Sequence, residues 1–215
     1  MNKIKVEQNE IHLQDEEVIL STFPNKLTLK ICGNVYCGIE DFNNKELNIY
    51  LQENSHLQME FLVEVENTKN KITIYNEENS KLDLHYACTY KNENELIINS
   101  NVSTSNNNNN ILVRAVEEDG NLNIVATGII EENTKNNTYL EDIKAITNKK
   151  NSIKIRPDLL VKTNSVLASH NATISPVEDS ELFYLESKGL DSMQATSLIK
   201  EGFLKGIIEK EELKN

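Results

Sequence analysis

The chain has 215 residues and a formal net charge of −12, with 38% hydrophobic residues and no tryptophan. That length is one large domain, or a domain with an appendage, and it is long enough to bury a sizeable core. An acidic chain with no Lys/Arg cluster beyond Lys149–Lys150 argues against a nucleic-acid partner, and no segment approaches the ~20 apolar residues of a membrane span.

The N-terminal MNKIKVEQNE has no apolar h-region, so no secretory signal is expected and the chain reads as cytoplasmic. Cys32, Cys37 and Cys88 then read as thiols rather than as a disulfide framework. Alternation places Cys37 with Val35 and Ile39, and Cys88 with Leu82, Leu84 and Tyr86. Core packing is therefore the better account of Cys32 and Cys37, in CGNVYC, than a metal knuckle, and Cys88 also reads as core. His12, His56 and His85 are isolated in sequence and are expected to face solvent, and the sequons at Asn101 and Asn171 read as chance products of a composition with 31 asparagines.

From Lys3 to about Val166 apolar residues recur with period two, as in Leu27, Leu29 and Ile31, or Leu57, Met59 and Phe61. This is the pattern of strands with one buried face. Short polar clusters separate the strands. The segment ENSHLQMEF, starting at Glu53, recurs as ENSKLDLHY, starting at Glu78. Self-similarity at that period points to a solenoid in which each coil holds about two strands and buries its apolar face on the next. An antiparallel sandwich is the competing fold. The repeat, the scarcity of glycine hairpin turns and the absence of βα alternation favour the solenoid. The Asn106–Asn110 run reads as a solvated loop between strands.

The tail changes period. Ser175, Pro176 and Glu178 have capping-box spacing with proline at the first helical position, and Asp179 is a competing cap. Leu182, Phe183 and Leu185 follow with helical spacing, and Gly189 suits a left-handed stop. Asp191 and Gln194 give a second cap, followed by the stripe Ala195, Leu198, Ile199 and Phe203. Residues 206–213 extend this helix or form a short third one. The reading is a mainly β chain, with a parallel β-helix core over 1–174 and a C-terminal helical segment over 175–215. No phosphate loop, nucleophile elbow or HExxH motif appears, so the chain is expected not to be an enzyme.

The stretch from Arg156 to Phe203 holds several separate features in one order. Arg156 and Pro157 lead an extended apolar segment. Ser169 and His170 follow with Ala172 and Thr173, in a segment read as a polar loop. Leu182-Phe183-Tyr184-Leu185, then Gly189-Leu190 and a stripe ending in Gly202-Phe203, complete the set. In this order the chain resembles the SufB/SufD family of iron–sulfur cluster assembly proteins, at motif level over about residues 145–205. The resemblance implies a right-handed β-helix with a helical C-terminal region. It implies docking of a SufC-like ATPase on the C-terminal helices, and a homodimer or a heterodimer with a SufB-like protein through the β-helices, with strands at Ile153–Ile155 and Leu159–Val161 contributing. It carries the family's interface histidine onto His170 as an iron ligand beside a transient iron–sulfur cluster. Scaffold-type members have a cysteine on a strand before that histidine. Here the approximate register puts Glu141 in its place, which makes the chain resemble the SufD-like type. A carbohydrate-active or sugar-binding β-helix protein is the alternative, as is a structural homologue without cluster chemistry.

Overall fold

In a computed structural model, residues 1–149 and 152–214 are described, and Lys150 of the basic pair lies outside them. The strands are β1 (Asn2–Lys5), β2 (Glu10–Gln14), β3 (Glu17–Thr22), β4 (Lys26–Cys32), β5 (Asn34–Ile39), β6 (Glu46–Leu51), β7 (His56–Glu66) and β8 (Lys69–Asn76). They continue with β9 (Lys81–Val102), β10 (Asn108–Ile130), β11 (Asn137–Ile146), β12 (Ile153–Val161) and β13 (Val166–Ser175). Three helices close the chain: α1 (Asp179–Ser187), α2 (Ser192–Lys205) and α3 (Glu211–Lys214).

All pairings are parallel and form two ladders. The first runs β1, β3, β5, β7, the front of β9, the front of β10, β11 and β13. The second runs β2, β4, β6, β8, the rear of β9, the rear of β10 and β12. β9 and β10 bend from one ladder into the other, and this makes the chain a parallel β-helix. The sequence repeat is the coil offset: His56 pairs with Lys81, Leu57 with Leu82, Met59 with Leu84 and Phe61 with Tyr86. The coil widens along the chain. Bonds between successive rungs span 17 residues at Ser21–Ile4, 25 at Asn79–Asn54 and 30 at Asn136–Asn106.

Alternation sends one face of each strand into the space between the ladders, where leucines, isoleucines and valines stack from Val6 to Ile153. Phe42 stands 5.0 Å from Phe61, and Phe61 5.1 Å from Tyr86, which makes an aromatic column through successive coils. Cys37 and Cys88 are buried in this core, whereas Cys32, the last residue of β4, is only half-buried and is not the core thiol its spacing suggested. Burial pushes the Cys88 thiol up to about 12, and it raises that of Cys37 further, so both are inert thiols.

The asparagines hold the corners. Asn54, Asn79, Asn106 and Asn136 all have positive φ, at 60°, 58°, 60° and 55°. Asn tolerates this region better than other non-glycine residues, because its short polar side chain bonds locally. Asn79 Nδ2 donates to Asn54 Oδ1 at 3.2 Å, and Asn136 Nδ2 to Asn106 Oδ1 at 3.1 Å. One step along, the amides turn inward. Asn107 Oδ1 accepts from the Ser80 N–H and hydroxyl, and Asn137 Oδ1 accepts from the Asn107 N–H. The Asn106–Asn110 run is therefore not a solvated loop. Asn106 makes the corner, Asn107 and Asn109 are buried, and Asn108 opens β10. Each coil must turn without hairpins, and buried amides satisfy the backbone groups that the corners leave over.

The tail lies on the outer face of the first ladder. Val177, Leu204, Ile208 and Leu213 pack on Ala87, Val116 and Ile146, with Leu62, Ile199 and Phe203 alongside. α2 starts as expected: Asp191 accepts from the Gln194 N–H, and Gln194 reaches back to the Asp191 N–H. α1 does not start at Ser175. That residue ends β13 opposite Ile146, with its carbonyl accepting from Thr147, so it belongs to the strand; the helix starts later, and Glu178 holds the N-cap position without a side-chain bond. Gly189, at φ 98°, ends α1 in the left-handed conformation. Among the described residues no helix is long and apolar enough to cross a membrane.

Candidate functional site at the open end of the coil

β11 alternates cleanly. Tyr139, Glu141, Ile143 and Ala145 are buried between the ladders, while Leu140 is exposed and Asp142 and Lys144 are half-buried on the outer side. β13 pairs with β11 along its whole length: Ala168 faces Tyr139, His170 faces Glu141 and Asn171 faces Asp142. The inward column Met59, Leu84, Ile111 thus continues into Glu141 and ends at His170. His170 is not in a loop, as the polarity of SHNAT suggested, but within a strand. Its segment looks like a loop because no further rung covers β13, so the alternation that marks a buried face is absent. β13 is exposed over most of its length, with Leu167 75% and Ile174 47% exposed. β12 presents Leu160 and Val161 in the same way.

Glu141 is 1% exposed. Tyr139 donates its hydroxyl to Oε2 at 3.2 Å, and Oε1 has no hydrogen-bond partner among the described residues. Burial pushes the carboxyl up to about 7; the Tyr139 bond opposes this and the charge of Asp158 adds to it. A carboxylate with a free oxygen beside a rung-end imidazole offers two donors of the kind that suits a divalent first-row metal such as Fe²⁺. Thiolate, the preferred ligand of clusters, is not part of this constellation, since Cys88 lies in the column of Ala115 and Ala145 rather than that of Ile111 and Glu141. Among the described residues no three His, Cys, Asp or Glu side chains converge as a complete metal site. The two donors are half of a site at most.

The other histidines divide. His12 is exposed beside Glu10, and His56 is half-buried 2.9 Å from Asp83. His85 departs from the expectation: it points away from the main core, yet it is 5% exposed because the tail covers it. Its register partner is Glu60, itself fully buried. Glu60 accepts from Tyr36 at 2.7 Å, from Gln58 at 3.1 Å, and from the backbone N–H groups of Glu209 at 2.8 Å and Lys210 at 3.4 Å. His85 Nδ1 stands 3.6 Å from Oε1, too long for a hydrogen bond. Burial works against the charge of Glu60, but His85, the Glu209 N–H, Tyr36 and the Lys210 N–H outweigh it and hold the carboxyl at about 2. Sequence reasoning missed this clamp. Its one signal was Glu60 and His85 at equivalent positions of the repeat.

The helices expose a second surface. α1 buries none of its residues; Phe183 is 74% and Tyr184 60% exposed, and on α2 Met193 and Leu198 are open to solvent. A shallow groove between the two helices is lined by Ser180, Glu181, Tyr184, Leu185 and Ile199.

A family profile described as the SUF system FeS cluster assembly, SufBD core domain, matches residues 41–203. A SufBD family iron–sulfur cluster assembly protein of Synechocystis sp. is 35% identical over 65 residues, 30% of this chain and 14% of that protein. The chloroplastic protein ABCI7 of Arabidopsis thaliana is 34% identical over 59 residues, 27% of this chain and 12% of that protein. A SufBD family protein of Pyrococcus horikoshii is 30% identical over 81 residues, 38% of this chain and 18% of that protein. The chain thus matches only a small part of these relatives' length, but the family profile spans most of the chain, over β6 to β13, α1 and nearly all of α2. The parallel β-helix, the helical tail and this match together establish that the chain belongs to the SufBD family of iron–sulfur cluster assembly proteins.

Proposed function

We propose that this chain is a non-enzymatic scaffold and interaction component of a Suf-type iron–sulfur assembly complex. The observation that carries the reading is the end of the coil. There Glu141 and His170 stand on adjacent rungs of a ladder whose last strand, β13, is paired only on its β11 side among the described residues. An uncovered parallel strand with exposed leucine and isoleucine is a template for another chain. The occupant is a second SufBD chain, either a copy of this one or a SufB-like partner, paired along β12 and β13. Such pairing brings the partner's ligands to Glu141 and His170, and iron or a nascent cluster is then the cargo of the joint site, not a resident cofactor. The apolar residues of α1 and α2 dock a SufC-like ATPase, whose nucleotide cycle moves the two chains. A helix pair that exposes Phe183, Tyr184, Met193 and Leu198 beside a shallow groove suits helix-face recognition. The chain works without its own catalytic residues and in the cytoplasm.

Copurification of the tagged chain from its native host, with partners identified by mass spectrometry and iron measured, tests the reading. A SufC-like ATPase, a second SufBD chain and iron that disappears in His170→Ala are expected. A monomer at high concentration in sedimentation equilibrium, with and without the ATPase, would reject the pairing.

A further inference from the structure

Tyr139 is 1% exposed and faces inward on β11, in the first ladder. Its ring reaches Gly128 on the rear of β10, which belongs to the second ladder. A Cβ built on Gly128 would lie 2.6 Å from Tyr139 Cζ and 2.7 Å from its hydroxyl oxygen, so any side chain there would displace the ring. The neighbouring inward positions of β10, Ala126 and Ile130, carry side chains. Glycine weakens a strand interior, and its occurrence there marks a close approach. The approach is that of the phenol, which spans the space between the ladders and ends 3.2 Å from Glu141 Oε2.

A carboxylate buried in an apolar coil is costly when its oxygens lack partners. Its neighbours in the same column and strand, Ile111 and Ile143, are apolar, and Oε1 has no partner among the described residues. A single donor therefore holds one oxygen and leaves the other free. Carboxylates that bind metals are commonly hydrogen-bonded in this way by an outer group that fixes their orientation. We propose that Tyr139 is a positioning residue of the Glu141–His170 site and that Gly128 is the gap that admits it. The inference rests on the reading of that site as iron-binding.

The test is anaerobic titration of the full chain, in the complex copurified with its partner SufBD chain, with Fe²⁺ by equilibrium dialysis, and with Co²⁺ as an optical probe through its ligand-field absorption. Far-ultraviolet circular dichroism reports folding of each variant. Tyr139→Phe removes one oxygen and keeps the ring in place. It is expected to weaken Fe²⁺ and Co²⁺ binding about 10- to 100-fold and to shift the Co²⁺ band. Gly128→Ala is expected to do the same by displacing the ring. In a Glu141→Gln background, Tyr139→Phe is expected to have no further effect. Wild-type affinity and an unshifted band in folded Tyr139→Phe, while Glu141→Gln and His170→Ala lose binding, would overturn the positioning role and leave the iron-binding reading standing. If the wild type binds neither ion, or if Glu141→Gln and His170→Ala bind as it does, the iron-binding reading falls and the inference falls with it.

Discussion

Glu141 and His170 are register partners on adjacent rungs, one sealed inside the coil and the other exposed at its end. The pair converts the inward column of the first ladder from apolar to ionisable at the point where the coil stops. Its two members respond differently to substitution.

His170→Ala removes an exposed ring from an uncovered strand. Stability should change by no more than about 0.5 kcal/mol. Iron retained by the native complex, and complementation in vivo, should be lost. Full cluster-forming activity in this variant would show that the ring is not a ligand.

Glu141→Gln should stabilise the chain, and more so as pH rises. The folded carboxyl sits at about 7 against an ordinary 4.5, so the fold favours the protonated form. That contribution is fully present below pH ~4.5 and is lost as pH rises through about 7. The wild type should lose roughly 3 kcal/mol against Glu141→Gln across that window. Urea unfolding at pH 5 and pH 8 measures it; a gap that does not widen at pH 8 would contradict the burial of the charge.

Glu60 has the opposite sign. Its folded carboxyl is held at about 2, below the ordinary 4.5, so its stabilisation is present above pH ~4.5 and is lost as pH falls toward 2. The tail should loosen in that acid window before the β-helix melts. Hydrogen exchange at residues 207–213 reports it. At neutral pH, Glu60→Gln should show the same loosening and cost roughly 2–3 kcal/mol, since it replaces charge-assisted bonds by neutral ones. Unchanged exchange would mean that the apolar contacts of Leu204, Ile208 and Leu213 suffice.

Asn107→Ala should be among the most damaging of the asparagine substitutions. It strips the Ser80 N–H and hydroxyl of their buried acceptor, at a cost of roughly 2–3 kcal/mol in chemical denaturation. Asn79→Gly should be nearly neutral and Asn79→Ala should cost about 1 kcal/mol, because the corner needs a positive φ. Equal effects of glycine and alanine at position 79 would remove the backbone explanation.

Truncation after Ser175 is a poor test of ATPase docking, because the tail also shields Leu62, Ala87, Val116 and Ile146 and supplies two N–H groups to Glu60. Phe183→Asp with Met193→Asp is better. Both side chains are mostly exposed, so folding should survive while ATPase binding in a pull-down is lost. Retained binding would move the docking surface elsewhere.

The sequence by itself determined the strands, the coil offset and the caps of α2. These are local or periodic properties: alternation follows from the pleat, the ENS repeat from stacking of equivalent corners, and Asp191 with Gln194 from the geometry of one helical turn. It named Glu141 and His170 separately, the first by its place opposite an expected cysteine and the second by motif. What only the tertiary structure decided depends on which chain segment covers which face. His170 looked like loop because nothing covers its strand, and His85 looked exposed although a tail returning 149 residues later bonds its partner Glu60. Asn107 and Asn109 looked solvated until the stack of corners turned them inward. Burial is a property of neighbours, and in a coil the neighbours of a residue lie a full turn away in the chain. Composition at one position therefore reports the side chain that is present, but not the rung or tail that will close over it.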